Sequence, residues 1–547
     1  MNPDAPTPPL TFNLADLFES VVVEVPEAVA IIAGPRRLTF AELNDRSNQL
    51  ANVLTARGVG AGDFVGLLLT NGTEYIEGML ACFKLAAVPV NVNYRYVDAE
   101  LRHLFSDAGL VALIYDASFS KSVATAIDSM TDRRAVLAVN PTSDDSAVDG
   151  SEDYESAVNS ASITGVIGDR SGDDVYCVYT GGTTGLPKGV LWRHEDIFFA
   201  AMGGGDSMRM GDVIAAPEDL ATRVLRPGLV ALAAPPLMHA SAHWLAFSTL
   251  FGGGTVVLMP GGHLDRSEMV AALEAERVNI LVIVGDAMAG PFLDELDARR
   301  AAGTTPDMSS LLAVGSGGAI LSPTMKQRLA SQLPNAMIVD VFGSSETGQV
   351  GGSQAAGDPF GAPRLQASER TTVLDEDDHP VAAGSGIVGR LAHGGRVPLG
   401  YHGDPVKTAA TFITVEGKRW SIPGDLATID ADGDILVLGR DSQCINTGGE
   451  KVFPEEVEGA LKAHPDVVDV VVVGAPDDQW GEHVTAVVQP RPGSAPTLES
   501  LRESVRGTLA AYKLPRQLVL VDVVERSPSG KADYRWAKRQ LPSTADN

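Results

Sequence analysis

The sequence predicts an α/β protein: a large N-terminal region of α/β subdomains plus a small α+β C-terminal domain. Strand-like apolar runs alternate with helical periodicity through much of the chain, the rhythm of largely parallel sheets covered by helices. Its 547 residues exceed what one compact domain holds. The last ~110 residues then run through a short cycle of strands and helices of their own, the size of a separate domain.

Thr39-Phe40-Ala41-Glu42 has the form of a capping box, with Thr39 as N-cap and Glu42 three residues on. Leu43, Leu50 and Leu54 then share one helical face, and Gly58 and Gly60 lie beyond the helix end. Phe64–Thr70 reads as a buried strand, Glu74–Ala86 as a helix and Val88–Val92 as a strand. The alternation resumes at Leu110–Tyr115 and Asn279–Gly285. Asn140–Asp174, rich in Ser, Asp, Gly and Glu, predicts a solvated excursion with one short helix. Gly203–Gly228 predicts a long loop or a pair of short helices.

Further on, strand Asp434–Leu438 runs into Gly439-Arg440. Helix Pro454–Ala463, strands Val467–Gly474 and His483–Gln489, and helix Leu498–Leu509 follow. This pattern divides the chain into residues 1–440 and 441–547, with a hinge near Arg440–Ser442.

Charge narrows the partners. The chain has 42 basic and 70 acidic residues, a net charge of −28, which argues against binding nucleic-acid backbones or anionic lipid. A phosphate-bearing ligand must therefore meet a local positive pocket. Hydrophobic content of 44% and charged content of 20% are ordinary for a soluble globular protein. No apolar run approaches the ~18 residues that span a bilayer. Cys82, Cys177 and Cys444 form no C-x-x-C, which fits a reducing cytoplasm. Met1–Leu10 is proline-rich without a basic start, unlike a secretory signal. A cytoplasmic protein is expected.

The most informative stretch is Tyr179–Val190, Y-T-G-G-T-T-G-L-P-K-G-V, which follows the strand-like Val175–Tyr179. Gly181, Gly182 and Gly185 let backbone N–H groups approach an anion closely. Thr180, Thr183 and Thr184 add hydroxyls, and Lys188 adds a point charge. That is the chemistry of a polyphosphate clamp. It is not a Walker loop, since Pro187 precedes the lysine and Gly189 follows it. The loop resembles the phosphate loop of the adenylate-forming enzymes: acyl-CoA synthetases, peptide-synthetase adenylation domains and luciferases.

Other segments extend the resemblance, in the family's order, as far as Lys531. Gly317-Gly318-Ala319-Ile320-Leu321 is similar to the family's adenine-flanking segment. In Phe342-Gly343-Ser344-Ser345-Glu346-Thr347, after strand Met337–Val341, the family pattern implies that Phe342 stacks on adenine and Ser345 reaches the α-phosphate. Glu346 would hold magnesium, a hard cation suited to oxygen ligands. The alternative for this glutamate is a favourable acidic residue at a helix N-terminus.

Trp420-Ser421-Ile422-Pro423-Gly424-Asp425 matches the ribose element, with Pro423 where threonine is usual; Asp425 would accept both ribose hydroxyls. Arg440 implies a second ribose or phosphate contact. Asn446-Thr447-Gly448-Gly449-Glu450-Lys451 resembles the loop of the thioester step, in which Gly448 and Gly449 leave room for pantetheine. Ser442 stands at the hinge position and Gln443 where an acidic residue is common. Ser527-Pro528-Ser529-Gly530-Lys531 resembles the last element, whose lysine, here Lys531, bridges carboxylate and α-phosphate.

His239 replaces the aspartate with which amino-acid-activating members pair an ammonium, which disfavours amino-acid substrates. Its family position borders the acyl pocket; Trp244, Phe247 and Met288 are further candidate walls, or helical core residues, which look identical in a sequence. Asp286 reads as the N-cap of helix Ala287–Leu296. The runs Trp192–Asp196, Gly285–Ala289 and Asp533–Lys538 look like actinobacterial fatty-acid and sterol side-chain CoA ligases. The resemblance thus implies an ATP-, Mg2+- and coenzyme A-dependent ligase acting on a small-molecule carboxylic acid. Transfer to a carrier-protein phosphopantetheine, a luciferase-like oxygenase and a catalytically dead nucleotide-binding regulator are the alternatives. A homodimer is the prior for assembly.

Overall fold

The structure, a computed structural model, describes residues 10–141, 148–166, 168–180, 186–206, 212–261, 264–319, 321–353, 364–440, 443–447, 450–477, 481–526 and 530–542. The chain forms two compact units. One comprises Met1–Val282, Ser345–Gly348 and Arg396–Phe412; the other comprises Ile283–Ser344, Gln349–Gly395 and Ile413–Asn547.

The first unit has the expected parallel α/β sheets. One runs in the order Val88–Asn91, Phe64–Leu68, Ala112–Asp116, Ala135–Val139, Glu152–Asp153, all parallel. Another places Val230–Ala233 between Ile280–Ile283 and Thr255–Leu258, with Val29–Ala33 beyond and Arg36–Thr39 antiparallel at the edge. Helices Phe40–Ala56 and Thr73–Lys84 bury Leu43, Leu50, Leu54, Ile76 and Leu80 in the shared core. The capping box at Thr39 is present in both directions: Glu42 N donates to Thr39 Oγ1 (3.2 Å) and Thr39 N to Glu42 Oε2 (2.8 Å).

The excursion after Asn140 differs from expectation among its described residues. It carries the anticipated short helix, Tyr154–Asn159, but that helix is tied into the core. Tyr154 is fully buried and donates to Glu77 Oε2 at 2.7 Å, while Arg46 Nε donates to Glu77 Oε1 at 2.9 Å. Composition hid this, because one aromatic among many polar residues suffices to anchor a segment. Gly203–Gly205 and Pro217–Arg223 form short 3₁₀ helices, as one of the two readings had it.

In the second unit, Ala313–Gly317 pairs in parallel with Met337–Ser344. An antiparallel sheet runs Arg364–Gln366, Asp434–Arg440, Asp425–Ile429, Gly389–Gly394, Lys418–Ser421. The last sheet runs Glu450–Val452, Ile445–Thr447, Gly481–Pro490, Val467–Asp477, with Gln517–Leu520 parallel to Gly481–Pro490. Its strand Val467–Asp477 is apolar on both faces. Val470 and Val472 face helices Pro454–Leu461 and Leu498–Val505, whereas Val471 and Val473 face Trp536 of helix Tyr534–Arg539. Period-2 alternation thus serves two cores at once.

Among the described residues, no helix is long and apolar enough to cross a membrane.

Glu77 supplies a test of the first unit's packing. Its carboxylate is fully buried, with Arg46 as the near cation and Arg36 at 3.7 Å as the remote one. Arg46→Met should cost about 1.5–3 kcal/mol, the worth of a hydrogen bond to a charged group, since Arg36 and the Tyr154 hydroxyl still partner the carboxylate. Urea unfolding of the two proteins, compared by midpoint, measures it.

Candidate active site

In the first unit, Val175–Thr180 and Lys188–Arg193 form an antiparallel hairpin in which Thr180 and Lys188 are cross-strand partners. The loop between them leaves from this closed base. Gly181, Gly182, Thr183, Thr184 and Gly185 lie outside the described residues. Gly189 is glycine for want of space: a Cβ there would sit 2.7 Å from the Tyr179 ring. Asn91 fastens the base, accepting from Tyr179 N (2.7 Å) and donating to Tyr179 O and Met238 O (both 2.8 Å). Tyr179 OH donates to Asp107 Oδ2 at 2.7 Å.

Lys188 Nζ reaches Asp404 Oδ2 at 2.5 Å. Asp404 caps helix Pro405–Thr411, and its carboxyl is held below the usual range by Lys188 first and by the Lys407 N–H second. Just before it, strand Gly400–Tyr401 pairs with Lys188–Arg193. Tyr401 OH donates to Glu346 Oε1 at 3.0 Å, and Trp192 Nε1 donates to Ser345 O at 2.9 Å. The Ser345–Gly348 segment is thereby tied to the hairpin that carries Lys188. Glu346 lies in a turn between two strands, not at a helix N-terminus. Sequence reasoning missed Asn91, Tyr401 and Asp404, whose partners are 55 to 216 positions away; no local pattern marks them.

His239 is the N-cap residue of helix Ala240–Phe251, partly exposed, with Trp244 also partly exposed further along that helix. Phe247, read as a wall or a core residue, packs in the core. It is fully buried, with its ring 5.5 Å from that of Phe83 and 5.8 Å from that of Phe251. His243, overlooked in the sequence, is buried between Tyr176 OH (3.0 Å) and Tyr75 OH (3.3 Å).

The run Trp192–Asp196 is structural. His194 Nδ1 accepts from Leu14 N at 3.2 Å, Arg193 pairs with Asp173, and Glu195 and Asp196 both receive Arg396.

In the second unit, Phe342, Gly343 and Ser344 end strand Met337–Ser344, and Phe342 is half-buried against the antiparallel sheet's core. Asp425 and Arg440 are cross-strand partners, and Arg440 Nε donates to Asp425 Oδ1 at 3.3 Å. Gly318 and Ala319 follow strand Ala313–Gly317, while Ile320 lies outside the described residues. A Cβ on Gly318 would stand 3.5 Å from Cε of Lys531, so the terminal lysine lies over this turn. Ser442, Gly448 and Gly449 fall outside the described residues. Asp286 is not a cap: helix Gly285–Ala301 begins before it, and its Oδ1 accepts from Ser322 N at 2.8 Å.

Magnesium fits this donor set in one way. Among the described residues no cluster of three or more His, Cys, Asp or Glu could hold a metal. A single oriented carboxylate, Glu346, suits an ion that keeps waters and arrives with substrate phosphates.

Comparison with known proteins identifies the family. The family model described as AMP-binding enzyme matches residues 18–402, and that of the AMP-binding enzyme C-terminal domain matches residues 456–531. The chain belongs to the AMP-binding enzyme family. It is an AMP-forming acid–thiol ligase, using ATP to activate a carboxylic acid and form acyl-CoA, with Mg2+ and coenzyme A.

A 3-oxocholest-4-en-26-oate–CoA ligase of Rhodococcus rhodochrous is 44% identical over 538 residues, covering 97% of this chain and 96% of that protein. A medium/long-chain-fatty-acid–CoA/3-oxocholest-4-en-26-oate–CoA ligase of Mycolicibacterium smegmatis is 45% identical over 533 residues, with 97% and 96% covered. The solved anthranilate–CoA ligase AuaEII, in complex with anthranoyl-AMP, shares the fold. Its TM-score is 0.82 at 22% identity, with 97% of each chain covered.

Burial pushes His194 and His243 from 6.5 down to about 3, so both are neutral in the folded protein at neutral pH. In the unfolded chain they protonate near 6.5. Between those values the unfolded state binds more protons, so stability is complete above pH 6.5 and is lost as pH falls. Each histidine contributes a slope of up to about 1.4 kcal/mol per pH unit in that window. Urea midpoints from pH 7.5 to 5 should fall for the native sequence and fall less for the double variant His194→Gln, His243→Gln.

Proposed function

We propose that the acid is a medium- or long-chain fatty acid or a steroid side-chain acid, activated to its CoA thioester. What carries this is the near-full-length similarity to ligases of those acids, together with His239 where an ammonium would need an anion. The carboxylate attacks the α-phosphorus of ATP, the bond to pyrophosphate breaks, and an acyl-adenylate forms. The CoA thiolate then attacks the acyl carbon and AMP leaves. Both nucleophiles are substrates, so the protein contributes positioning and charge.

In this reading Lys188 and the Thr180–Gly185 loop bind the outer phosphates, with Asp404 holding the lysine in reserve. Glu346, oriented by Tyr401, would hold Mg2+, which neutralises phosphate charge when bound. Gly318, Ala319, Ile320, Phe342, Gly343 and Ser344 flank adenine, while Ser345 reaches the α-phosphate. Asp425 and Arg440, already paired across two strands, take the ribose. Lys531 offsets charge building on the carboxylate and α-phosphate. Gly448 and Gly449 admit pantetheine, Ser442 is the hinge between residues 1–440 and 441–547, and His239 and Trp244 border the acyl chain. The reading extends to a cytoplasmic homodimer: none of the three cysteines is in a disulfide, and twofold closure is the commonest assembly.

Pyrophosphate release should be measured across octanoate, palmitate, a 3-oxo-sterol side-chain acid, benzoate and free amino acids, with CoA and a carrier-protein phosphopantetheine as acceptors. The aliphatic and sterol acids should give the highest kcat/KM, with AMP as the nucleotide product and CoA as the acceptor. Faster turnover of any amino acid than of octanoate would overturn the substrate class, and ADP as the product would overturn the chemistry.

A second test concerns the metal. Tyr401→Phe should weaken the apparent Mg2+ affinity or the adenylation rate by about 10–100-fold, as loss of a ligand-orienting hydrogen bond does. Glu346→Gln should do so at least as strongly. Unchanged Mg2+ titrations in both would remove the assignment.

A further inference from the structure

Lys462, directly after helix Pro454–Leu461, keeps only 7% of its side chain exposed. An ammonium so deeply placed needs carboxylate partners, or it loses its charge. Its Nζ lies 3.2 Å from Asp286 Oδ2 and 3.6 Å from Asp469 Oδ1. Asp469 is gripped in turn by Arg526, whose Nε and Nη2 donate to its two oxygens at 2.6 Å each. The third guanidinium nitrogen, Nη1, donates to Gly530 O at 3.3 Å. Gly530 immediately precedes Lys531. The side chains of these two cations and two anions are all 15% exposed or less.

Both ends of this cluster terminate on the surroundings of Lys531. At one end Asp286 Oδ1 accepts from Ser322 N, four residues past Gly318, against which Lys531 lies. At the other end Arg526 holds the carbonyl of the residue before that lysine. Three members, Lys462, Asp469 and Arg526, belong to the sheet-and-helix body of the last hundred residues and can stay together wherever it moves. Asp286 alone comes from helix Gly285–Ala301.

The geometry points to the Asp286–Lys462 pair as a reversible latch that seats the Lys531 loop over the Gly318 turn for adenylate formation, with Arg526 as a positioning residue for Lys531. This rests on the reading of Lys531 given above. Its reversibility follows from the partners that remain on release. Lys462 keeps Asp469 at 3.6 Å, and Asp286 keeps the Ser322 N–H and gains water. Neither charge is stranded, so opening is not blocked by an unpaired buried ion. The bidentate Arg526–Asp469 pair is the permanent half, holding the guanidinium that meets the Gly530 carbonyl.

The two half-reactions separate the latch from a general structural role. Lys462→Met retains the apolar stem, and Asp286→Asn retains the acceptor for Ser322. Each should slow single-turnover pyrophosphate release on the order of 10²-fold, as about 1 Å of misplacement does. Acyl-CoA formation from synthetic acyl-adenylate should stay within about twofold of normal, because removing a latch from the other conformation costs that step nothing. The double variant should lose little beyond either single one, since both remove the same contact. Lys462→Arg, which keeps the charge, should retain most adenylation.

Equal loss in both half-reactions, or no loss in adenylation, would overturn the latch. Lys531→Ala, run alongside, isolates the underlying reading. If it spares adenylation, the role of Lys531 falls and the latch falls with it. If it abolishes adenylation selectively while Lys462→Met and Asp286→Asn do not, the latch alone is wrong.

Discussion

The first unit's candidate machinery hangs on one buried amide. Asn91, at the end of a parallel strand, accepts from and donates to the same residue of the phosphate hairpin, Tyr179, and spends its second N–H on Met238. Three chain segments meet at one buried side chain through three hydrogen bonds. A buried amide of this kind is costly to leave unsatisfied, which makes the arrangement close to all-or-none. From that point the hairpin carries Lys188 outward, and its neighbouring strand carries Tyr401 and Asp404. Met238 delivers His239 to the start of its helix. The same three bonds tie the base of the hairpin that carries Lys188 to the residue before His239, the two residues proposed for the phosphate and acyl ends of the site.

A protein of net charge −28 that handles polyphosphate has to keep its few cations in place without letting them bind stray anions. The solution recurs. Lys188 rests on Asp404, Arg440 on Asp425, and Lys462 on Asp286 and Asp469. In each case the partner carboxylate comes from a different strand or helix, so the pair also joins two elements. The Lys188–Asp404 pair, 39% and 29% exposed, costs little to break, whereas the buried Lys462 cluster exchanges only among protein groups.

How much of this was legible in the sequence depended on how local each interaction is. The capping box at Thr39, the strand before the phosphate loop and the glycine-rich loop itself are patterns within a few residues, and the structure has the cap and the strand where the pattern put them. Asp286 was misread because an acidic residue directly after the predicted strand Asn279–Gly285 looks like a cap. The helix in fact starts one residue earlier on Gly285, and the carboxylate serves a backbone N–H 36 residues away. Phe247, now seen in the core, stayed open in the sequence because a helical aromatic has no mark distinguishing a core position from a pocket wall. Tyr154 was hidden in a polar stretch. The fold class and the order of the motifs were readable; the partners that orient each motif residue were not, since tertiary pairing leaves no spacing signal.

The doubly buried strand Val467–Asp477 has a consequence for how its sheet finds the right alignment. When one face of a strand is wet, a slip of one residue exposes apolar side chains and is rejected on that ground. With valines at 470, 471, 472 and 473, such a slip replaces valine by valine on both sides, and hydrophobicity barely distinguishes the two alignments. Discrimination passes to the sparse polar marks on the strand. Asp469 must meet the Arg526 fork, and the Val472 N–H must meet the buried carboxylate of Glu458 at 2.9 Å. Shifted by one position, both would be buried without partners. The strand is glued by its valines and indexed by two hydrogen-bonded carboxylates, so a polar-to-apolar substitution there could leave the domain compact yet out of alignment.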